Sequence, residues 1–409
     1  MSDRTIYLPR VILCRFGELF LKQGNRSRFL GRLESNVNKT LAGTGLKVSS
    51  PHGRLIIKVP EGLCSTPEET EALLLDAGDR LSRVFGLVSL SIATRTTPSI
   101  EAMCETALIE ARKVLHRYDG KGEPSFKVDC RRGDKNFPMT SYEIAAKVGY
   151  HIIKALNLRV DVHNPDFSIG IELGKGTPPL VFADTRACPG GLPIGTAGRG
   201  LLLLSGGIDS PVAGWLAGKR GLSLDGIYFH SPPFVGEKTR DKILELARIL
   251  GRSQAMDNVF VVPFTEIQKK LRESTKGDLS VILYRRMMMR IADRIADKTN
   301  AGLLITGENL SQVASQTVEN MAIIDKAARH LVIRPLVTYD KMETVALARR
   351  LGTYETSTLP YDDCCSLFMP NNPAIAARIE NVLACEVKLD VEAEADAVAE
   401  RVDRVPVLV

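Results

Sequence analysis

The stretch Leu201-Leu202-Leu203-Leu204-Ser205-Gly206-Gly207-Ile208-Asp209-Ser210-Pro211 decides the fold of the C-terminal half of this 409-residue chain. The four leucines indicate a buried strand, and Pro211 is typical of the first turn of a helix. Two consecutive glycines let backbone N–H groups approach an anion closely, and Ser210 is expected to cap the helix whose positive end faces that anion. No Gly-Lys-Ser/Thr follows, so the loop differs from that of kinases and GTPases. The stretch therefore predicts a strand, a loop and a helix that together bind pyrophosphate.

Strands and helices alternate strictly beyond this stretch, a pattern that predicts a parallel sheet covered by helices on both faces. The expected strands span 200–204, 224–230, 258–263, 303–306 and 332–336. The expected helices span 211–220, 237–250, 280–298, 312–328 and 340–351, with C-terminal caps at Gly251 and Gly352. Ligands in such sheets bind beyond the carboxyl ends of the strands, so the loops at Ser205, His230 and Gly307 are predicted to line a site.

The first 186 residues mix strand and helix patterns without strict alternation, as is typical of α+β domains. Strands are expected at 7–14, 46–50, 54–59, 88–94, 125–131 and 168–173, and helices at 25–41, 67–75, 99–117 and 141–156. Prolines and glycines crowd residues 178–195, which marks a boundary. Residues 1–60 carry 11 basic and three acidic side chains, whereas the last 24 residues carry seven acidic and three basic ones. A basic front end suits a phosphate backbone, and an acidic tail does not.

The composition, 44% hydrophobic and 25% charged, excludes a disordered or fibrous protein. No apolar stretch approaches the roughly 20 residues of a membrane-spanning helix, and the first ten residues lack the apolar core of a secretory signal. We therefore expect no membrane association and a cytoplasmic location. Eight cysteines without a C-x-x-C pair argue against a disulfide framework and against a zinc site.

The segment 205–210, S-G-G-x-D-S after an apolar strand, resembles the pyrophosphatase loop (PP-loop) of certain ATP-cleaving enzymes. Those enzymes cleave ATP between its α and β phosphates to adenylate a carbonyl oxygen. The resemblance implies that Asp209 helps to hold Mg²⁺ or orients the phosphates. The alternative is an ordinary glycine turn between a strand and a helix. The apolar strand, the serines and the proline-led helix together favour the phosphate loop.

The whole chain, over about residues 5–375, resembles one family, the tRNA 4-thiouridine synthases (tRNA uridine 4-sulfurtransferases). Residues 17–26 (GELFLKQGNR) are similar to the family's N-terminal ferredoxin-like signature. Residues 126–138 (FKVDCRRGDKNFP) and 162–166 (VHNPD) are similar to its THUMP domain, an RNA-binding module. The catalytic domain of the family is matched by 307–310 (GENL), 312–317 (QVASQT), 340–343 (DKME) and 360–365 (PYDDCC).

The resemblance implies an ATP site that extends beyond the loop. Its residues would be Leu203, Leu204, Ser205, Gly206, Gly207, Asp209, Ser210, Tyr228, Phe229, Arg285, Gly307 and Gln316. In this interpretation the backbone at 203–204 and 228–229 borders adenine and ribose, and Gly307 allows close backbone approach. Arg285 reaches the nucleotide from its helix, and Gln316 hydrogen-bonds ATP. Each residue could instead be structural, with Tyr228 and Phe229 in the core.

Cys365 corresponds to the family's catalytic cysteine, and Cys364 precedes it. Adenylation turns a uridine carbonyl oxygen into a good leaving group, which a thiol or persulfide sulfur can displace at C4. A buried cysteine pair is the alternative. Many family members continue into a rhodanese domain, whereas only 24 residues follow Cys385 here, which implies a sulfur donor in trans: a cysteine desulfurase or free sulfide. An iron–sulfur carrier is disfavoured because the catalytic domain has only these three cysteines.

Five basic residues are the candidates for RNA binding: Lys22, Arg26, Arg131, Arg132 and Lys135. Their cationic groups can pair with phosphates, and Phe126 and Phe137 could stack on unpaired bases. The alternative is a solvated surface with both phenylalanines in the core. The family resemblance favours binding of tRNA.

We expect a three-domain enzyme with an α+β ferredoxin-like domain (1–76), an α+β THUMP domain (77–186), a linker (187–196) and an α/β parallel-sheet PP-loop domain of the adenine nucleotide alpha hydrolase type (197–409). The expected reaction is thiolation of uridine 8 in tRNA to 4-thiouridine, with ATP and Mg²⁺. The alternatives are another PP-loop adenylating enzyme, such as a 2-thiouridine synthase or an amide-forming synthetase, and a non-catalytic RNA-binding protein. A homodimer, and a second role in supplying sulfur for the thiamine thiazole, stay open.

Overall fold

The computed structural model describes residues 9–21, 24–51, 53–119, 122–275, 277–361 and 373–408. The chain divides into two compact units, Met1–Gly191 and Leu192–Val409. This division falls within the ten residues that the sequence assigns to a linker. The Gly190 N–H donates to the Leu87 carbonyl (2.7 Å) in the first unit, and the Leu192 N–H donates to the Lys219 carbonyl (2.9 Å) in the second. The expected domain limits stay predictions.

The first unit contains one sheet with helices between its strands. Its strands are β1 (Arg10–Phe16), β2 (Lys47–Ser49), β3 (Leu55–Lys58), β4 (Leu87–Arg95), β5 (Ser125–Arg132), β6 (Arg159–Val160), β7 (Phe167–Leu173), β8 (Leu180–Phe182) and β9 (Arg186–Ala187). Its helices are α1 (Arg26–Thr40), α2 (Pro67–Leu81), α3 (Ile100–Leu115) and α4 (Ser141–Leu156). The strand order is β2-β3-β1-β4-β8-β7-β5-β6, and β9 pairs with β4.

Strand β4 joins the two parts of this sheet that the sequence separates. The expected limit at residue 76 places β4 in the THUMP domain, but β4 pairs antiparallel with β1, from Arg10 opposite Thr94 to Phe16 opposite Leu87. On its other side, β4 pairs with β8. Strand β4 therefore shares backbone hydrogen bonds with strands on both sides of the expected limit, and the limit at residue 76 stays a prediction.

The second unit contains a mixed, mostly parallel sheet between two layers of helices. Its strands are β10 (Arg199–Leu203), β11 (Ser223–His230), β12 (Met256–Pro263), β13 (Leu303–Ile305), β14 (Leu331–Ile333) and β15 (Asp403–Pro406). Its helices are α5 (Asp209–Lys219), α6 (Glu237–Gly251), α7 (Thr265–Glu273), α8 (Ser280–Thr299), α9 (Val318–Asp325), α10 (Lys341–Leu351), α11 (Tyr354–Ser357), α12 (Ile379–Glu386) and α13 (Val391–Ala399). The strand order is β14-β13-β10-β11-β12-β15, with β15 alone antiparallel to its neighbour among the described strands.

Strand β10, the apolar strand of the sequence motif, lies at the centre of this sheet. The chain continues from β10 to β11 on one side, and it later returns to form β13 on the other side. The loops that follow β10 and β13 therefore leave the sheet in opposite directions. Such a switch point leaves a crevice at the carboxyl edge, where doubly wound sheets bind their ligands.

Two local predictions in this unit are wrong. The helix expected at 312–328 is interrupted: Ala314–Gln316 form a 3₁₀ turn, and Thr317 caps α9 by accepting a hydrogen bond from the Asn320 N–H (3.3 Å). The cap expected at Gly251 is also absent, because Gly251 is the last residue of α6 and Gln254 takes the left-handed conformation (φ 60°). Gly352 does end α10 in the left-handed conformation, with φ 75°.

The acidic C-terminal tail pairs with a basic stripe on α8. Arg286, Arg290, Arg294 and Lys298 follow each other at four-residue spacing, which places them on one face of the helix. Their partners are Glu386, Glu392, Asp396 and Glu400. The innermost partner, Glu386, is 5% exposed and accepts four hydrogen bonds of 2.7–2.9 Å from Arg286 and Arg290. The acidic side chains of the tail therefore neutralise the basic stripe of α8.

We expect Glu386→Gln to lower the free energy of unfolding by about 3–5 kcal/mol at pH 7, because the buried guanidinium of Arg286 would lose its counter-ion and that of Arg290 would keep only Glu392 among the described residues. Glu392→Gln is the matched control, since Glu392 pairs with the same helix but its side chain is 63% exposed. The control should cost about 1 kcal/mol or less. Urea unfolding of both variants checks the prediction, and equal stabilities would contradict it.

The same pair of variants should respond differently to acid. Burial alone would raise the pKa of Glu386, but hydrogen bonds from Arg286 and Arg290 outweigh burial and hold this pKa below its ordinary value of 4.5. A carboxylate with a lowered pKa contributes its full stability above its unfolded pKa, and the contribution is lost as the pH falls through the folded pKa. The stability difference between wild type and Glu386→Gln should therefore shrink below about pH 4.5.

Candidate functional site

A cavity of about 700 Å³, its open mouth included, lies at the carboxyl edge of the second sheet. The cavity is lined by Leu203, Leu204, Ser205, Gly207, Asp209, Ser210, Tyr228, Phe229, Arg285, Met288, Thr306, Gly307, Glu308 and Gln316. Eleven of these residues were expected from the sequence. Gly206, the remaining expected residue, lies within the same loop.

Two serine side chains hold the loop between β10 and α5 in shape. The Ser205 N–H donates to Ser210 Oγ (2.9 Å), and the two hydroxyl oxygens lie 3.1 Å apart. Ser210 Oγ also donates to the Ser205 carbonyl (3.2 Å). The hydroxyl of Ser210 thus closes the loop on itself. A loop fixed in this way presents its backbone N–H groups without a further entropic cost on binding.

The expected role of Ser210 as a helix cap is wrong. Helix α5 begins at Asp209, and its N-cap residue Ile208 makes no side-chain capping hydrogen bond. Ser210 lies inside the first turn, where its hydroxyl is engaged by Ser205. The positive end of the α5 dipole is therefore left at the cavity without a described side-chain cap. An anion is the ligand that such a helix end favours.

Gly307 packs against the first turn of α5. A Cβ built on Gly307 would lie 2.6 Å from Ser210 N, 2.7 Å from Ser210 Cα and 2.8 Å from the Asp209 carbonyl carbon. Only a residue without a side chain fits there, because all three atoms belong to backbone. The close approach expected at Gly307 is thus an approach to the helix start, which locks the loops after β10 and β13 together.

The carboxylate of Asp209 is held by two side chains that the sequence did not single out. Lys341 Nζ lies 2.7 Å from Asp209 Oδ1 and 3.1 Å from Oδ2, and Gln312 Nε2 donates to Oδ2 (3.1 Å). Lys341 is the first residue of α10, whose start is fixed by the capping box of Asp340 and Glu343. These contacts place the Lys341 ammonium and the Gln312 amide beside the loop carboxylate, at the end of the cavity formed by residues 205–210.

The opposite end of the cavity is apolar and aromatic. Tyr228 and Phe229 lie near the end of β11 and are 1% and 5% exposed, and Met288 of α8 also lines the cavity. The Tyr228 hydroxyl lies 3.2 Å from Nδ1 of His230. Burial lowers the pKa of His230, against an opposing effect of Glu237, so its imidazole is neutral at pH 7. His230, which the sequence placed at the site, supports Tyr228 from behind and is not a lining residue.

Gln316 and Glu308 each turn a buried polar oxygen toward the cavity. Gln316 is 7% exposed, and its Oε1 has no hydrogen-bond partner in the part of the chain that the structure describes. The same is true of Oε1 of Glu308, which is 2% exposed. Buried acceptors without a donor are rare in folded proteins, and a ligand is one source of the missing donor.

The candidate RNA-binding residues lie in the first unit, and the structure distinguishes among them. Arg26, Arg131 and Lys135 are exposed. Arg132 is half-buried, and its Nη1 donates to the carbonyls of Phe137 (2.9 Å) and Met139 (2.8 Å), which gives it a structural contact. Lys22 lies outside the described residues.

The aromatic stacking platform considered from the sequence is wrong. Phe126 is fully buried and stacks on Phe167 with ring centroids 5.9 Å apart. Phe137 is half-buried against the same core. Phe126 lies on β5, whose inward face packs against the helices, so its ring cannot reach a base. Among the described residues of this unit, Tyr142 and Tyr150 of α4 have exposed aromatic rings.

Cys364 and Cys365 lie outside the described residues. Among the other cysteines, burial raises the pKa of Cys188 to about 11. Burial likewise raises the pKa of Cys130 to about 11, against hydrogen bonding from Ser141. Cys14 is fully buried, and its pKa is raised further. These thiols stay protonated at neutral pH and are poor nucleophiles.

The described residues contain no group of three or more His, Cys, Asp or Glu side chains that could hold a metal ion by themselves. A metal at this site would therefore need ligands from a bound substrate. In the same part of the chain, no helix combines the length and apolar character of a membrane span.

Five residues were assigned no site role from the sequence: Met288, Thr306, Glu308, Gln312 and Lys341. Three of them, Glu308, Gln312 and Lys341, lie in the segments 307–310, 312–317 and 340–343 that resemble the family's catalytic domain. Glu308 could have been predicted as a site residue, because it follows Gly307 directly after a buried strand. The sequence indicates Lys341 less directly, since Asp340 and Glu343 mark the start of a helix at the carboxyl edge. For Met288 the sequence pattern predicts only a core residue of α8.

Three segments of the chain match models of known protein families. Residues 195–391 match the family model described as thiamine biosynthesis protein (ThiI), residues 11–91 match the ThiI ferredoxin-like domain, and residues 99–177 match the THUMP domain. The chain is 39% identical over 399 residues to a probable tRNA sulfurtransferase of Alkaliphilus oremlandii, covering 97% of this chain and 98% of the relative. It is 38% identical over 394 residues to a probable tRNA sulfurtransferase of Staphylococcus aureus, covering 96% and 93%.

Two solved structures share the fold. A crystal structure of a 4-thiouridine synthetase–RNA complex with bound ATP has a TM-score of 0.84 and 36% identity, covering 98% of this chain and 100% of that one. A protein from Pyrococcus horikoshii has a TM-score of 0.63 and 27% identity, covering 84% and 99%. The ferredoxin-like, THUMP and α/β parts expected from the sequence are thereby confirmed, and the chain belongs to the ThiI family of tRNA sulfurtransferases.

Proposed function

We propose that this chain uses ATP to convert uridine 8 of tRNA to 4-thiouridine. The observation that carries the proposal is the cavity at the switch point, where the S-G-G-x-D-S loop, the start of α5 and Lys341 converge. The 36%-identical 4-thiouridine synthetase with RNA and bound ATP supports the same substrates for this chain. Position 8 rests on the family resemblance.

The two ends of the cavity are proposed to bind different parts of the nucleotide. The phosphates are proposed to bind at residues 205–210 and the start of α5, where backbone N–H groups and the helix dipole favour negative charge. Adenine and ribose are proposed to pack beside Tyr228 and Phe229, with Gln316 Oε1 as acceptor for a donor on the nucleotide. Arg285 contributes a guanidinium from α8.

The chemistry follows from two displacements. The uridine C4 oxygen attacks the α phosphorus of ATP, and pyrophosphate leaves. A sulfur nucleophile then attacks C4, and AMP departs with the original uridine oxygen. When the nucleophile is the outer sulfur of a Cys365 persulfide, a thiol such as free cysteine next attacks Cys365 Sγ, so that this thiol forms a disulfide with Cys365 and the transferred sulfur stays on C4. Lys341 is proposed to stabilise the negative charge that develops on the phosphates during the first step, because its ammonium already lies at that end of the cavity.

The carboxylate of the phosphate loop and the phosphates of ATP are together a donor set that suits Mg²⁺. Mg²⁺ prefers oxygen ligands and is commonly held by one or two carboxylates together with substrate phosphates. Asp209 is the carboxylate of the phosphate loop, and its oxygens are at present engaged by Lys341 and Gln312. Asp209 is proposed to hold the ion with the phosphates, which would release Lys341. The ion would neutralise phosphate charge.

The first unit is proposed to bind tRNA. Arg26, Arg131 and Lys135 carry exposed cationic groups suited to phosphates. The THUMP match, residues 99–177, includes two of them. The sulfur donor is proposed to be a separate protein, a cysteine desulfurase, that charges Cys365 with a persulfide.

The proposed function is tested with purified protein, unmodified tRNA, ATP, Mg²⁺, cysteine and a cysteine desulfurase. We expect the near-ultraviolet absorbance of 4-thiouridine to appear on tRNA, and not on a tRNA that carries cytidine at position 8. Thiolation of the cytidine-8 tRNA at another uridine would favour the 2-thiouridine alternative. Failure of both tRNAs to react, with ATP unconsumed, would contradict the proposal.

We expect Cys365→Ser to separate the two half-reactions. Adenylation needs ATP and a positioned uridine, so tRNA-dependent AMP–tRNA formation should persist. Thiolation driven by a desulfurase should fall below about 1% of wild type, because a hydroxyl can neither carry a persulfide nor ionise at neutral pH. Cys364→Ser is the matched control and should retain thiolation. Full thiolation by Cys365→Ser would remove this cysteine from the mechanism.

A further inference from the structure

The buried carboxylate of Glu308 borders the cavity and has no part in the steps above. It follows Gly307 at the carboxyl end of β13 and is 2% exposed. One of its oxygens, Oε2, accepts hydrogen bonds from Thr306 Oγ1 (2.9 Å) and Arg334 Nε (2.8 Å). The other, Oε1, has no hydrogen-bond partner among the described residues. Half of this carboxylate is thus anchored, and the other half faces the cavity.

The cation opposite the open oxygen is Arg285. Its Nη1 lies 3.8 Å from Glu308 Oε1, and both side chains line the cavity. This separation is too long for a hydrogen bond but within the range of an ion pair. The Arg285 side chain is 22% exposed, so the pair is only partly screened by water.

The anchoring of Oε2 fixes the direction of Oε1. A carboxylate is planar, and two donors on one oxygen set the plane in which the other oxygen lies. Arg334, one of those donors, is itself held by Asp325 through Nη1 (3.1 Å) and Nη2, and its side chain is 9% exposed. Arg334 is therefore committed to two carboxylates, whereas Arg285 meets Glu308 from the cavity side.

We propose that Glu308 is a positioning residue that orients the guanidinium of Arg285 toward the phosphates of bound ATP. An arginine side chain has many rotamers, and a fixed counter-charge favours those that point toward it before the ligand arrives. The carboxylate is 2% exposed and the guanidinium side chain is 22% exposed, so the cation is the more accessible member of the pair. This inference rests on the proposed function, because it takes ATP as the ligand.

A double-mutant cycle tests whether Glu308 acts through Arg285. The dissociation constant of ATP is measured by calorimetry for the full-length wild type, Glu308→Gln, Arg285→Gln and the double variant. Glutamine keeps the shape of glutamate and can accept from Thr306 and Arg334, but it carries no charge. We expect Glu308→Gln to weaken ATP binding about tenfold in wild type and by less than about twofold in the Arg285→Gln background.

Asp325→Asn is the matched control, because it loosens Arg334 from the side away from the cavity. If Glu308 served only to hold Arg334, Asp325→Asn would weaken ATP binding as much as Glu308→Gln does. We expect it to leave the dissociation constant within about twofold. Should Glu308→Gln fail to fold, Glu308→Asp, which withdraws the carboxylate by one methylene, replaces it in the cycle with the same expectation.

The outcomes separate this inference from the function on which it rests. Equal losses in both backgrounds, or an unchanged dissociation constant in Glu308→Gln, would overturn the positioning role while leaving ATP as the substrate. Absence of ATP binding by the wild-type protein would overturn both. A loss confined to the background that retains Arg285 supports the inference.

Discussion

Replacement of Asp209 by alanine is expected to reduce tRNA-dependent AMP formation by roughly 10²–10³-fold and to leave the affinity for tRNA within about twofold. Asp209 is the first residue of α5, it lines the cavity, and its carboxylate pairs with Lys341 and Gln312. Its removal takes away the loop's negative charge and the contact that places Lys341. The exposed basic residues of the first unit are untouched, so tRNA should still bind.

Two companion variants show whether charge is the property that matters. Asp209→Asn keeps the size of the side chain and an acceptor for Gln312, and we expect it to be as inactive as the alanine variant. Glu319→Gln removes an exposed carboxylate from the first turn of α9 and should behave as wild type. AMP release is followed by chromatography of radiolabelled ATP. Near-normal release by Asp209→Ala would contradict the assignment of the phosphate loop.

Gly307→Ala should abolish ATP binding and lower the free energy of unfolding by about 3 kcal/mol or more. The added methyl would lie 2.6–2.8 Å from three backbone atoms of Asp209 and Ser210. No side-chain rotation relieves such contacts, so either the loop after β13 or the start of α5 must move. Both belong to the phosphate end of the cavity, and its geometry should be lost with the packing.

Gly302→Ala is the matched control for this substitution. Gly302 directly precedes β13, and a Cβ there would meet nothing within 4 Å. We expect its melting temperature and its ATP dissociation constant to match those of wild type. If Gly307→Ala bound ATP as tightly as Gly302→Ala, the close approach of the two loops would have no bearing on the site.

The parts of the fold that the sequence predicted are those fixed by local patterns. Four leucines followed by glycines and Pro211 specify strand, loop and helix within eleven residues, and the later strands show the same local signals. Strand β15 was not predicted because it is a four-residue edge strand that begins with two charged residues and ends in proline, and its place is set by pairing with β12. The expected helix at 312–328 failed because Thr317 and Asn320 make local side-chain contacts that compete with helix.

The site was predictable where its residues follow strands and unpredictable where distant residues meet. The cavity gathers the ends of β10, β11 and β13, as the alternation of elements implies. Lys341 and Gln312 reach Asp209 across 132 and 103 residues of sequence, and no local pattern encodes such contacts. The cap role of Ser210 was wrong for a local reason, because its hydroxyl accepts a hydrogen bond from the N–H of Ser205, five residues earlier.

The pairing of the acidic C-terminal tail with α8 is a further feature that the sequence did not predict. Its composition was interpreted only as unsuited to phosphate, whereas the structure pairs it with the four-residue repeat of basic side chains on α8. Each half of that pattern is visible in the sequence. Their pairing could be inferred only by aligning α8 with the acidic segment that follows it by about 100 residues.

The fate of the uridine C4 oxygen tests the central claim most directly. In the proposed reaction this oxygen attacks the α phosphorus and leaves as part of AMP, so tRNA labelled with ¹⁸O at C4 of uridine 8 should yield AMP that carries one ¹⁸O atom per 4-thiouridine formed. Mass spectrometry of the released AMP measures this. Recovery of the label in AMP is the result we predict. Unlabelled AMP, with the ¹⁸O in water or in pyrophosphate, would contradict activation of the uridine by adenylation at this site.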